Sequence, residues 1–381
     1  MKLLIIHNIL WSHYKNALFS ELYQQSQKKG ISIKVLQMAR NEQSRASFET
    51  TDKSFFEANY PYDLLFDDFA EKISSLELFK AILRKIKQYK PDVINITGFY
   101  SWVHLAIITY CKLSNIKIIM SNDSTRGDNL VVGWKELVKK KIISWCDGFF
   151  CFGSLATQYM LELGASPKKI LAKHCGVVDN QKVIELYNQA KNNSLQLDLP
   201  KHNFIYVGRF FEHKNLLMLL DAFQCANQQQ DWGLILLGGG EQKNELEHYI
   251  EQKELKNVFL IDGKPWYEVP KYLALADVLV LPSKSEPWGL VVNEAMACKM
   301  PVIVSDKCGC HADLVQQSKN GFVFNHQSTK ELSAYLSFFI QNHTEISIMG
   351  LNGFETIKAF SPQNAVNEML EGLKNIQNEN S

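Results

Sequence analysis

Short apolar, β-rich runs alternate with amphipathic stretches along most of the chain. Lys2–His7, Ile31–Gln37, Asp92–Thr97, Lys117–Ser121 and Phe149–Phe152 have the composition of buried strands. Between them, Tyr14–Lys29 and Ile73–Tyr89 carry helical periodicity, the second with Leu76, Phe79, Leu83 and Ile86 on one stripe. Near-continuous apolar strands separated by helices predict a parallel sheet covered on both faces. The pattern breaks over Asn188–Asn203, a polar stretch with Asn-Asn-Ser and Asp-Leu-Pro that reads as a linker. A second series follows, with strands expected at Phe204–Val207, Gly233–Leu237, Val258–Ile261, Val278–Leu281 and Pro301–Ser305. The expected fold class is α/β, with two Rossmann-like domains whose parallel sheets face a cleft. Ligands in such sheets bind at the carboxyl ends of the strands. The expected division is 1–187, a linker 188–203, and 204–360.

Two stretches need separate treatment. Arg40–Lys72 has no clean period and many aromatics: Phe48, Phe55, Phe56, Tyr60, Tyr62, Phe66 and Phe69. It is either an acceptor-contacting loop or a packed excursion over the first sheet. Near the end, Ser361-Pro362 marks a break, and Val366, Met369, Leu370 and Leu373 follow at helical spacing. A loose polar tail is expected from Gln377.

The 381 residues carry a formal charge of +1, so bulk electrostatics make no case for nucleic acid. The first apolar run is too short for a signal peptide and has no small-residue cleavage site. No window approaches the roughly 18 consecutive apolar residues of a membrane span. A cytoplasmic protein is expected, at most peripheral at the inner face of the membrane. The candidate contact is Trp134–Trp145, basic and amphipathic, with Trp134, Leu137, Val138, Ile142 and Trp145 on one face; packing on the first sheet is the alternative. The eight cysteines are scattered, mostly in apolar surroundings, as reduced structural cysteines are. Cys308-Gly309-Cys310-His311 lacks the second Cys/His pair of a zinc site, so no metal site is expected.

Three clusters carry candidate chemistry. In Tyr206-Val207-Gly208-Arg209, then Lys214-Asn215, a strand ends at a glycine and two cations follow. Arg grips phosphate bidentately, Lys adds a mobile charge, and a helix expected from Lys214 or Asn215 adds its N-terminal N–H groups. That set suits a diphosphate. In Glu286-Pro287-Trp288-Gly289-Leu290 through Glu294, the carboxylates suit sugar hydroxyls, and the N–H groups of Gly289 and Leu290 suit a phosphate. Gly238-Gly239-Gly240-Glu241 ends a strand one unit after the Arg/Lys loop, which brings Gly239 and Glu241 to the same edge.

These clusters, with Ala276-Asp277-Val278-Leu279-Val280-Leu281-Pro282-Ser283 between the last two, resemble in order the C-terminal half of the group 1 (family 4) retaining glycosyltransferases of GT-B fold. The resemblance covers about 100 residues by motif; the N-terminal half resembles the family mainly in strand–helix rhythm. It implies that Arg209 and Lys214 hold a nucleotide-sugar diphosphate, that Glu286 contacts the donor sugar, and that Glu294 contacts the ribose. It also implies that residues 361–381 return to the first domain. Arg209, Lys214 and Glu286 are thereby the expected catalytic set. Gly208, Gly239, Glu241, Gly289, Leu290 and Glu294 complete the expected donor site. The chain departs from the family at His7-Asn8-Ile9-Leu10-Trp11-Ser12, where a glycine-rich loop is usual. It departs again at Ser121-Asn122-Asp123-Ser124, where His-Asp is usual, at Cys175-Gly176-Val177-Val178-Asp179, and at Gly309-Cys310. Asn8, Asn122 and Asp123 are the acceptor-side candidates.

The implied activity is sugar transfer from a nucleotide-diphosphate sugar to a glycan, lipid-linked or other hydroxyl acceptor, with retention of configuration. No Asp-x-Asp occurs, so fixed cations and helix N-termini are expected to neutralise the leaving diphosphate without a metal cofactor. Other classes stay open: an epimerase or phosphorylase on the same fold, and a non-catalytic nucleotide-sugar-binding protein.

Overall fold

The computed structural model describes residues 1–43, 45, 58–98, 101–127, 133–192, 195, 197–229 and 231–378; the side chains of Trp134 and Asn378 are outside the description. The aromatic candidates Phe48, Phe55 and Phe56 and the last residues of the tail also lie outside the described residues. The chain forms two compact units: Met1–Val178 together with Ser361–Ser381, and Asp179–Phe360.

In the first unit, β1 (Lys2–Ile9), β2 (Ser32–Ala39), β3 (Tyr62–Leu64), β4 (Val93–Thr97), β5 (Lys117–Asn122), β6 (Gly148–Cys151) and β7 (Ile170–Ala172) form one sheet in the order β3-β2-β1-β4-β5-β6-β7. Every pairing is parallel. The central strands are buried on both faces because helices supply the crossovers: α1 (His13–Gln27), α2 (Ser75–Tyr89), α3 (Trp102–Leu113), α4 (Trp134–Trp145) and α5 (Ser154–Glu162). One layer of the core joins Leu4, Ile6, Ile94, Ile96 and Met120 of the sheet to Ile82, Ile107 and Met160 of the helices.

The strand Tyr62–Leu64 lies inside the aromatic stretch. It pairs with β2, and Tyr60 beside it is buried and accepts a bond from Gln37 Nε2 at 3.2 Å. That part of the stretch is packed structure. Three-residue strands are too short for an alternating pattern to declare itself.

The last helix, α14 (Pro362–Asn378), belongs to this unit. Val366, Met369, Leu370 and Leu373 are buried, and the helix packs on α1 and β7. Glu368 anchors it, accepting from the N–H groups of Lys173 at 2.8 Å and His174 at 3.3 Å and from His174 Nδ1 at 2.5 Å. Burial pushes this carboxyl up, but those bonds outweigh it and hold it below its usual range.

The second unit begins earlier than the residue pattern predicts. Its first element is α6 (Asn180–Asn192), which includes residues 188–192 of the expected linker. Polar composition there marks the solvent face of a helix whose Val183 and Ala190 are buried. The sheet contains β8 (His202–Arg209), β9 (Trp232–Gly239), β10 (Val258–Asp262), β11 (Val278–Leu281), β12 (Val302–Ser305) and β13 (Gly321–Phe324), ordered β10-β9-β8-β11-β12-β13 and all parallel. Helices α7 (Leu216–Ala226), α8 (Lys243–Gln252), α9 (Val269–Leu273), α10 (Leu290–Ala297), α11 (His311–Leu314), α12 (Thr329–Gln341) and α13 (His343–Ile357) complete it. Helix α6 packs on α9 and α10. The strand order reverses beside β8, between β9 and β11, and such switch points open a crevice at the carboxyl ends of the strands.

Candidate functional site

At the carboxyl end of β8 the chain passes Gly208 and Arg209 into a short 3-10 turn, Glu212–Lys214. Helix α7 starts only at Leu216, after Asn215 in the left-handed region at φ 62°. Lys214 is therefore on the turn and not on the helix, and the turn aims it inward. It is buried, and its Nζ lies 2.6 Å from Glu286 Oε2, with the two side chains 9% and 19% exposed. Residues 72 apart in sequence thus form one ion pair. Arg209 lies over the Phe211 ring at 4.8 Å, and its carbonyl accepts from Tyr206 Oη at 2.8 Å, which pins the strand end. His213 joins the same charged group. Burial, then Lys214 and Arg209, hold its imidazole below its usual pKa, opposed by Glu286 and Glu241. Sequence reasoning missed His213, although it stands between the two cations that were singled out.

Glu286 is held by its backbone. Its N–H donates to Lys307 O at 3.1 Å and its carbonyl accepts from Gly309 N at 2.8 Å, while Cys310 N donates to Trp288 O at 3.0 Å. The loop before α10 is thus laced to the loop after β12. Cys308 and Cys310 are buried in that lacing, and burial raises both thiols, Cys308 to about 12. Among the described residues no group of three or more His, Cys, Asp or Glu is placed to hold a metal ion. Gly289 is the N-cap of α10 at φ 96°, and a Cβ there would meet Leu281 Cδ2 at 2.7 Å. Leu290 starts the helix and Glu294, half-buried, follows one turn on. Trp288 Nε1 donates to Asn293 Oδ1 at 2.9 Å, fixing the entry to the helix.

The glycine run after β9 serves close packing. A Cβ on Gly238 would lie 1.8 Å from Gly208 O, so the two strand-end loops can touch only without side chains there. Gly239 faces open space and Glu241 is exposed beyond it.

The first unit holds a cavity of about 100 Å³ at the carboxyl ends of β1, β4 and β5. Asn8 and Asp123, two of the three acceptor-side candidates, line it. Asn122 does not; it is buried and donates from Nδ2 to Ser124 O at 2.9 Å and Ala156 O at 3.4 Å, a structural role. Sequence reasoning missed His7, Lys15, Glu42 and Arg45, which line the same cavity. The His7 ring is buried and pairs with Gln37 Oε1 at 3.0 Å; burial, then Lys15, lower its pKa to about 4.

The basic helix α4 divides its apolar residues. Ile142 and Ile143 enter the core, whereas Leu137 and Val138 are exposed, so the single apolar face expected from spacing is not one surface. Lys139 Nζ donates to Tyr159 Oη at 2.9 Å. Among the described residues no helix is long and apolar enough to cross a membrane.

The chain is similar to known proteins in part of its sequence and in its fold. Residues 187–355 match the sequence model of the glycosyl transferases group 1. An uncharacterized glycosyltransferase of Methanocaldococcus jannaschii is 28% identical over 186 residues, 49% of this chain and 51% of its own length. The UDP-Gal:alpha-D-GlcNAc-diphosphoundecaprenol alpha-1,3-galactosyltransferase of Escherichia coli is 28% identical over 213 residues, 52% of this chain and 53% of its own length. The chain thus matches about half the length of each of these two relatives. The fold is shared with sucrose-phosphate synthase of Thermosynechococcus elongatus at a TM-score of 0.73 and 18% identity, covering 100% of both chains. The fold is therefore GT-B, and residues 187–355, which contain Arg209, Lys214, Glu286 and Glu294, are similar to the group 1 glycosyl transferases.

Proposed function

We propose that the chain transfers a sugar from a nucleotide-diphosphate sugar to a hydroxyl of a glycan or lipid-linked acceptor, retaining the anomeric configuration and using no metal. The observation that carries this reading is the buried Lys214–Glu286 pair beside Arg209 at the carboxyl end of β8. Arg209 and Lys214 neutralise the leaving diphosphate, where fixed charges in a partly dry site act most strongly. The N–H groups that open α10 at Gly289 and Leu290 take another phosphate oxygen. Glu286, fixed by its neighbours, accepts from donor-sugar hydroxyls, and Glu294 accepts from the ribose. Gly208, Gly239 and Glu241 shape the edge of the donor site. Attack comes from the face that the leaving group vacates, with the donor phosphate taking the acceptor proton.

The Escherichia coli relative is named for UDP-galactose and a diphosphoundecaprenol-linked acceptor, and the same two substrate classes are proposed here. A lipid-linked acceptor gives α4 a use: Leu137 and Val138 are exposed beside the lysines of the same helix, and this face would rest on anionic lipid.

The test is a melting-temperature panel of nucleotides and nucleotide sugars, followed by turnover with and without acceptor glycans. Stabilisation by one nucleoside diphosphate and turnover that requires an acceptor are expected. Turnover of the nucleotide sugar to its epimer without acceptor, or binding without any turnover, would overturn the transferase reading.

A further inference from the structure

Lys15 is placed where a cation is least favoured. It is 6% exposed, yet it lines the cavity of the first unit. It is the third residue of α1, inside the first turn, where the helix dipole opposes positive charge. That turn holds no acidic residue, and Ser12 makes no side-chain cap. No carboxylate of a described residue is paired with its ammonium; its neighbours are the rings of Phe152 at 4.6 Å and Tyr14 at 5.6 Å. Burial lowers its pKa, with Cys175 and Asp123 acting in the opposite sense. A buried cation without a carboxylate is costly, and natural chains tolerate such conflicts mainly at functional sites.

The rest of the cavity suits a ligand that carries both negative charge and hydroxyl groups. Arg45 stands on its wall, with Nε 3.0 Å from Glu42 Oε2. Asp123 faces the same space as a hydroxyl acceptor. Asn8 Oδ1 is buried and accepts no hydrogen bond from a described residue, so it is available to a hydroxyl. We propose that this cavity takes an anionic group of the acceptor, a phosphate or a carboxylate, with Lys15 Nζ as its fixed partner and Asn8 and Asp123 receiving adjacent hydroxyls. That the anion belongs to an acceptor rests on the transferase reading; the anion site itself does not.

The test uses the full chain saturated with UDP, so that the donor site is filled. Glucose 1-phosphate, glucuronate and glucose are titrated by calorimetry and by melting temperature. The two anionic sugars separate phosphate from carboxylate, and binding by either one, with glucose at least tenfold weaker, is the expected result. Lys15→Met should weaken the anionic probes at least tenfold and leave UDP affinity unchanged. It should also raise the melting temperature without probe, because it relieves a buried charge that no carboxylate of a described residue pairs; a lysine kept only for structure would give a fall. Arg45→Gln, nearer the surface, is the second variant and should weaken the same probes while the chain stays folded. Equal binding of glucose and the anionic sugars, or unchanged anion affinity in Lys15→Met, overturns the proposal. UDP binding with no anion binding overturns it alone, and loss of UDP binding strikes the transferase reading instead.

Discussion

The Lys214–Glu286 pair offers a direct measurement of what holds the candidate donor site. At 2.6 Å, and with an effective dielectric constant of about 20, the gross attraction is about 6 kcal/mol. Desolvation of two largely buried side chains offsets much of that, so the pair itself contributes little net stability. Removing one partner is different, because the other charge stays buried without compensation, at a cost of about 3–5 kcal/mol. Lys214→Met strands Glu286, and Glu286→Gln strands Lys214; each should destabilise the second unit by about 3 kcal/mol. The double variant strands neither and should recover about 2 kcal/mol of the summed loss. Two units make whole-chain unfolding a poor readout, since a single transition is not assured. Hydrogen exchange at the amides of β8 and α10 in the full chain reads the second unit by itself. Single variants within about 0.5 kcal/mol of wild type, with additive losses in the double, would refute the argument that this pair is desolvated and coupled.

Activity should persist in EDTA; loss restored by magnesium or manganese would show that the diphosphate is held by a metal and not by Arg209 and Lys214. Stability should fall as pH drops from about 6.5 to 4, because His7 and the α3 residue His104, whose pKa burial likewise lowers to about 4, stay neutral when folded, while the unfolded chain takes up their protons from about 6.5 downward. Each contributes up to about 3 kcal/mol to that loss, which levels off below pH 4 and is read from denaturation midpoints across the range. Leu370→Ala should destabilise the first unit by about 2–5 kcal/mol, seen as faster exchange in β6 and β1; an effect confined to residues 179–360 would contradict the placement of α14. Co-sedimentation with anionic vesicles at low salt should weaken in a Leu137→Ser/Val138→Ser variant, and equal pelleting of both proteins would remove α4 from the membrane reading.

What the sequence determines by itself is whatever rests on local repetition and ordered motifs. Apolar runs such as Val278–Leu281 must be buried strands, and Leu216, Leu219, Leu220 and Phe223 must share a helix face. Arg209, Lys214, Glu286 and Glu294 stand out as candidates because they lie at or beyond the carboxyl ends of strands, where α/β sheets expose ligand-binding loops. The stripe of Val366, Met369, Leu370 and Leu373 marks the terminal helix, but its return to the first unit follows from the resemblance and not from the spacing. Tertiary structure decides what depends on groups far apart in the chain. No spacing shows that Lys214 meets Glu286, because the contact is made by a 3-10 turn and a loop whose carbonyl and N–H bond to the chain after β12. Short edge strands such as Tyr62–Leu64 exist because a neighbour supplies their hydrogen bonds, which their own residues do not signal. Lys15 reads in sequence as an ordinary helix lysine. Only the packing of Phe152 over it, from a strand end 137 residues away, makes it a buried cation facing a cavity.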